Sequence, residues 1–137
     1  MANLLIIEDE PFMRSMIQTV LDAAGHSTVA VASGAEGLAR LSERAPDLAL
    51  IDLGLPDISG LEVLRILRAT PGWKNTAIVM LTASRDSQDM VTAKAHGAQG
   101  FLSKPVTAAT LTAAVNDLLA QDDLVWLDDL TRSRRAG

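Results

Sequence analysis

The sequence contains no cysteine, which removes both a disulfide framework and thiolate chemistry and fits a reducing, cytoplasmic setting. No apolar stretch approaches the roughly 20 residues that a membrane-spanning helix needs. Met1-Ala2-Asn3 carries no basic region before the first apolar run, so a signal peptide is not expected. Basic charge is short: 12 Lys and Arg against 17 Asp and Glu leave a net charge of −5, the wrong sign for direct nucleic-acid binding. Internal repeats and low-complexity stretches are also lacking. What remains is 137 residues, 48% hydrophobic and 21% charged, which suits a single globular α/β domain rather than a disordered chain.

Short apolar runs punctuate the chain: Leu4-Leu5-Ile6-Ile7, Leu48-Ala49-Leu50-Ile51, Ala77-Ile78-Val79-Met80-Leu81 and Phe101-Leu102. Separated by helical patterns, they read as buried strands of a parallel sheet. A further strand is expected from about Ser27 to Ala32. Pro11 suits the first turn of a helix whose apolar face is Met13, Met16, Ile17, Val20, Leu21 and Ala24, with Gly25 as its stop. Ser33-Gly34-Ala35-Glu36 and Ser59-Gly60-Leu61-Glu62 are capping-box patterns that open a second helix, ending before Pro46, and a third with Leu61, Leu64 and Leu67 inward. A fourth helix is expected over Ser87 to His96, stopped by Gly97. The fifth strand is Gly100 to Ser103, and a fifth helix buries Leu111, Ala114, Val115 and Leu118. The expectation is (βα) five times, a flavodoxin-like doubly wound parallel sheet in the order 2-1-3-4-5.

Directly after these strands stand Glu8-Asp9, Asp52, Thr82 and Lys104. In open α/β sheets, ligand sites lie outside the carboxyl ends of the strands. Three carboxylates, a hydroxyl and an ammonium therefore meet at one edge. Carboxylates crowded in this way suit a hard divalent cation, and the lysine and hydroxyl suit a phosphoryl group.

Four segments carry a family resemblance: Leu5-Ile6-Ile7-Glu8-Asp9-Glu10, Asp52-Leu53-Gly54-Leu55-Pro56-Asp57-Ile58-Ser59-Gly60, Met80-Leu81-Thr82-Ala83 and Ser103-Lys104-Pro105. In this order and spacing, from about Asn3 to about Ala120, they resemble the receiver domain of two-component response regulators, the chemotaxis regulators among them. The resemblance implies that Asp52 accepts a phosphoryl group from a sensor histidine kinase or phosphotransfer protein. It implies a Mg²⁺ cofactor ligated directly by Asp9 and Asp52, by Glu8 through water, and by the Gly54 carbonyl. It makes Lys104 the partner of Asp52 and then of the phosphoryl oxygens, after a cis Lys104-Pro105 bond. It makes Thr82 the hydroxyl that moves toward the phosphoryl group, with small Ala83 leaving room, and Phe101 the switch aromatic. Phe101 stands where many members have tyrosine, so it brings no hydroxyl for an outward hydrogen bond. Gly54 and Ser84 would gate the attacking water.

On this reading the chain is no enzyme beyond its own phosphorylation and dephosphorylation, and it controls a downstream effector through the face of the fourth helix, fifth strand and fifth helix. A haloacid-dehalogenase-type phosphatase would need a second Asp two residues after the nucleophile, where Gly54 stands. A flavin protein of the same topology would need hydroxyls and amides where Glu8-Asp9-Glu10 stands. An interaction module independent of phosphorylation is a further alternative, as is an N-terminal part of a larger regulator with an effector domain. His26 and His96 fall outside the site, and neither Trp73 nor Trp126 adjoins Asp52. Residues 1–120 form the expected domain, and residues 121–137 an amphipathic tail or linker remnant. Leu124, Leu127 and Leu130 recur with helical spacing beside Trp126, so the tail is expected to be helical and to support a homodimer.

Overall fold

The computed structural model describes residues 2–83, 86–120 and 126–128. Among the described residues eleven elements alternate: β1 (Asn3–Ile7), α1 (Pro11–Ala23), β2 (Ser27–Val31), α2 (Gly34–Leu38), β3 (Leu48–Asp52), α3 (Gly60–Ala69), β4 (Ala77–Thr82), α4 (Ser87–Ala95), β5 (Gly100–Ser103), α5 (Ala108–Leu119) and β6 (Leu127–Asp128). The sheet runs β2-β1-β3-β4-β5-β6, with every pairing parallel. Its first five strands take the expected order.

Successive strand residues point to opposite faces, and the core divides accordingly. Leu4, Ile6, Leu48, Leu50, Val79, Leu81 and Leu102 face α1 and α5, where Ile17, Leu21, Leu111, Val115 and Leu118 meet them. Leu5, Ile7, Ala49, Ile51, Ile78, Met80 and Phe101 face the other way, onto Val63, Leu64, Leu67 and Ala93. β3 and β4 are buried along their whole length, which is why they read as unbroken apolar runs. Each fully buried aliphatic side chain is worth about 2 kcal/mol.

The helix starts follow local chemistry. Glu10 caps α1 by accepting from Phe12 N and Met13 N, with Pro11 in the first turn. Ser33 and Ser59 accept from Glu36 N and Glu62 N. Glu36 reaches back to Ala32 N instead of completing the box on Ser33. Gly25 and Gly97 follow α1 and α4 with φ of 97° and 101°, where a side chain would be strained.

Two expectations need correction. α2 stops at Leu38 instead of running toward Pro46, and Arg40, Leu41 and Glu43 continue with i→i+3 bonds. Gly34 and Gly37 are two of its five residues and weaken a helix of that length. The tail also departs from a helix at its described residues. Leu127 and Asp128 pair with Gly100 and Phe101 on the outer edge of β5. An open strand edge offers unpaired N–H and C=O groups, and spacing alone does not decide between helix and strand for so short a run. Residues 121–125 and 129–137, with Leu124 and Leu130 among them, lie outside the described residues, as does Ser84.

Candidate functional site

The strands place Glu8 and Asp9 after β1, Asp52 at the end of β3, Thr82 at the end of β4 and Lys104 just after β5. Because β1, β3 and β4 are parallel neighbours in register, their carboxyl ends lie side by side; Asp52 pairs with Leu81, one residue before Thr82, and Thr82 pairs with Ser103. Glu8 is fully buried, and Asp52 and Thr82 are 5% and 4% exposed. Lys104 Nζ reaches over them, 2.7 Å from Glu8 Oε1 and 3.2 Å from Asp52 Oδ2. The Lys104-Pro105 bond is cis.

The surrounding backbone fixes these groups. Glu8 Oε2 accepts from Glu10 N at 3.0 Å. Asp52 Oδ1 accepts from Gly54 N at 3.0 Å, which turns the carboxylate at the start of its loop. Arg14, one turn into α1, donates from Nη1 to the Glu8 and Asp9 carbonyls at 3.0 and 3.2 Å. Asp57 holds the same loop from the far side, accepting from Gly34 N and Ala35 N at 3.0 and 2.9 Å. Sequence reasoning missed Arg14 and Asp57, because their partners are backbone groups brought near by the fold.

The electrostatics separate the carboxylates. Burial alone would raise the Asp52 carboxyl, but a hydrogen bond shared with Asp9, the Gly54 amide and Lys104 together hold it below the ordinary value. Asp9 is pushed up, chiefly by that shared bond with Asp52, then by burial and by repulsion from the same charge. Burial is the main reason Glu8 is raised, with Lys104 and the Glu10 amide opposing it. Burial disfavours the Lys104 ammonium, yet Glu8 and Asp52 outweigh it and hold its pKa up. Asp52 and Lys104 are thus charged at neutral pH, and the bond that lowers Asp52 is the one that raises Asp9.

Glu8, Asp9 and Asp52 each offer an oxygen within 4.8 Å of the others. Glu8 Oε1 is buried without a directional hydrogen bond, its neighbour being the Lys104 ammonium. An all-oxygen donor set with more negative charge than one ammonium balances fits a hard divalent cation such as Mg²⁺. The Gly54 backbone is exposed at the rim, where its carbonyl remains the expected fourth donor.

His26 bonds Ala2 N and Asn116, His96 follows α4, and buried Trp73 donates to Leu41 O, so none of them belongs to this cluster. Phe101 is fully buried in β5, paired with Met80.

A family model described as "Response regulator receiver domain" matches residues 4–116. The chain is 43% identical over 117 residues to the two-component response regulator PhoP of Pseudomonas aeruginosa, covering 85% of this chain and 51% of that protein. It is 36% identical over 121 residues to the DNA-binding response regulator MtrA of Mycolicibacterium smegmatis, covering 88% and 52%. The chain thus spans about half the length of these curated relatives. Among solved structures, the chemotaxis response regulator CheY4 of Vibrio cholerae superposes with a TM-score of 0.81 at 31% identity, over 85% of this chain and 98% of that one. A response regulator receiver domain protein from Clostridium thermocellum gives 0.78 at 30%, over 85% and 93%.

Proposed function

The chain belongs to the response regulator receiver domain family, and from that premise we propose that it takes a phosphoryl group onto Asp52 and signals through it. The observation that carries this reading is the placement of Lys104 Nζ against both Glu8 and Asp52 inside a cluster of three carboxylates. A buried ion pair of this kind is poor evidence for stability, and crowded carboxylates with opposed pKa shifts are characteristic of sites kept for chemistry.

The ionised Asp52 carboxylate attacks phosphorus of a kinase phosphohistidine. A P–O bond forms, the P–N bond breaks, and its electron pair returns to the imidazole nitrogen; the product is an acyl phosphate. Asp9 and Asp52, with Glu8 through water and the Gly54 carbonyl, would hold Mg²⁺, which would supply charge neutralisation to the transferred group. Lys104 is placed to follow the new negative charge, and the Thr82 hydroxyl, at the end of the adjoining strand, to donate to a phosphoryl oxygen. Thr82 and Phe101 are the switch pair in this reading. The chain turns over no separate substrate: Gly54 offers no acid to a leaving group.

The partners are a sensor histidine kinase or phosphotransfer protein and a downstream effector, in a cytoplasmic setting. Within these 137 residues the net charge of −5 gives nucleic acid no basic surface overall. One observation favours a second reading of context, in which the chain is one part of a larger regulator: it spans about half of MtrA and PhoP, and MtrA is named as DNA-binding. A homodimer through the tail loses its argument at the described residues, since Trp126 packs within its own chain. Transfer from a phosphorylated histidine kinase, followed by its loss in Asp52→Asn, tests the reading.

A further inference from the structure

β5 is only four residues long and serves two purposes. Its carboxyl end delivers Lys104 to Glu8 and Asp52. Its outer edge is paired by Leu127 and Asp128, opposite Gly100 and Phe101. The residue before that pairing, Trp126, packs on the apolar cluster that holds Phe101, Met90 and Ala93. Lys94 of α4 stands 5.2 Å from the centre of the Trp126 ring, a cation–π contact. The indole Nε1 donates to Asp128 and so folds the ring over its own strand. α4 needs such support, because Ala93 is the one buried residue in it and Val91 is 56% exposed.

We infer that Trp126–Asp128 is an internal strap that closes β5 onto α4 and holds the chain in its unphosphorylated arrangement. The inference rests on Asp52 as the phosphoacceptor. The strap is made while Lys104 is bound to Glu8 and Asp52, and a contact made in one arrangement and lost in another stabilises the first over the second. A phosphoryl group on Asp52 redirects Lys104, shifts the end of β5 and weakens the pairing one residue upstream of Leu102. By reciprocity, loosening the strap favours phosphorylation. The occupant of the β5 edge is thus the chain itself, and an output partner reaches that edge only after the strap leaves.

The test uses the full chain. Trp73 is 2% exposed, so acrylamide quenching reports Trp126. Quenching is measured before and after acetyl phosphate with Mg²⁺, with phosphoryl occupancy read by mass on the same sample. The strap predicts greater quenching after phosphorylation. It also predicts that Trp126→Ala and Lys94→Gln carry a higher ratio of phosphorylated to unphosphorylated chain at a subsaturating acetyl phosphate concentration, by about fivefold, the low end for coupling between two sites. Complete incorporation with unchanged quenching, or equal ratios, overturns it. If no variant takes up phosphoryl, the reading of Asp52 fails instead. The strap is then judged by hydrogen exchange over residues 100–103: faster exchange in Trp126→Ala supports it, and unchanged exchange overturns it.

Discussion

A Cβ on Gly60 would stand 2.3 Å from the carbonyl oxygen of Asp52 and 2.7 Å from Leu53 Cα, and Gly60 N donates to Leu53 O at 3.0 Å. The first residue of α3 therefore lies directly on the backbone of the proposed phosphoacceptor. The loop between them runs out to Pro56 and Asp57 and returns without leaving room for a methyl group.

Gly60→Ala should accordingly destabilise the fold by about 1–3 kcal/mol, the usual cost of forced overpacking. The obstacle is backbone rather than a yielding side chain. A urea midpoint unchanged from wild type would show that the loop relaxes freely. The same variant should slow phosphoryl uptake, because Asp52 moves with its carbonyl.

Mg²⁺ should raise the melting temperature, since a ligand that binds only the folded chain at a hundred times its dissociation constant adds about 2.7 kcal/mol. Asp9→Ala should abolish the rise. Asp9 is raised chiefly by its bond to Asp52, so its ionisation opposes folding at neutral pH; the metal-free variant should be at least as stable as wild type. A rise that persists in Asp9→Ala places the metal elsewhere.

Acyl phosphate lifetime should depend on position 54. Gly54 is exposed, and a Cβ there meets only Asp52 Oδ1, at 3.9 Å, an ordinary van der Waals contact. Wild type should lose the phosphoryl group over minutes or less. Gly54→Leu should slow the loss about tenfold, which is on the order of 1.4 kcal/mol in the barrier. Identical decay by mass spectrometry would show that another group shields the acyl phosphate.

Asp57 gives a pH signature. Its carboxyl lies below the ordinary aspartate value, first because of the Ala35 amide, with the Gly34 amide also lowering it. A depressed acid contributes stability that is present above its unfolded pKa and lost as pH falls through the lower folded value. Asp57→Asn should therefore flatten this part of the acid limb in urea midpoints taken from neutral pH downward. Superimposable acid limbs would mean that the brace on α2 carries no stability.

Much of this is legible in the sequence alone. The buried runs of β3 and β4 marked a parallel sheet, and the residues after each strand had to converge because parallel strands share one carboxyl edge. Gly25, Gly97, Ser33 and Ser59 announced helix ends through local chemistry. Contacts made across the fold were not legible. Nothing local in the sequence sets Gly60 against the Asp52 backbone or gives Arg14 and Asp57 their backbone partners. The tail misled for a different reason: Leu127 sits in a helical repeat, but the open edge of β5 and the apolar cluster under Trp126 decide its conformation.

The most direct measurement is intact mass after incubation with acetyl phosphate and Mg²⁺. Transfer to Asp52 breaks the donor P–O bond, releases acetate and adds one phosphoryl mass that base removes. Wild type and Asp57→Asn should both gain it, and Asp52→Asn should not. A base-labile adduct that persists in Asp52→Asn, or no adduct on folded wild-type protein, would contradict Asp52 as the phosphoacceptor.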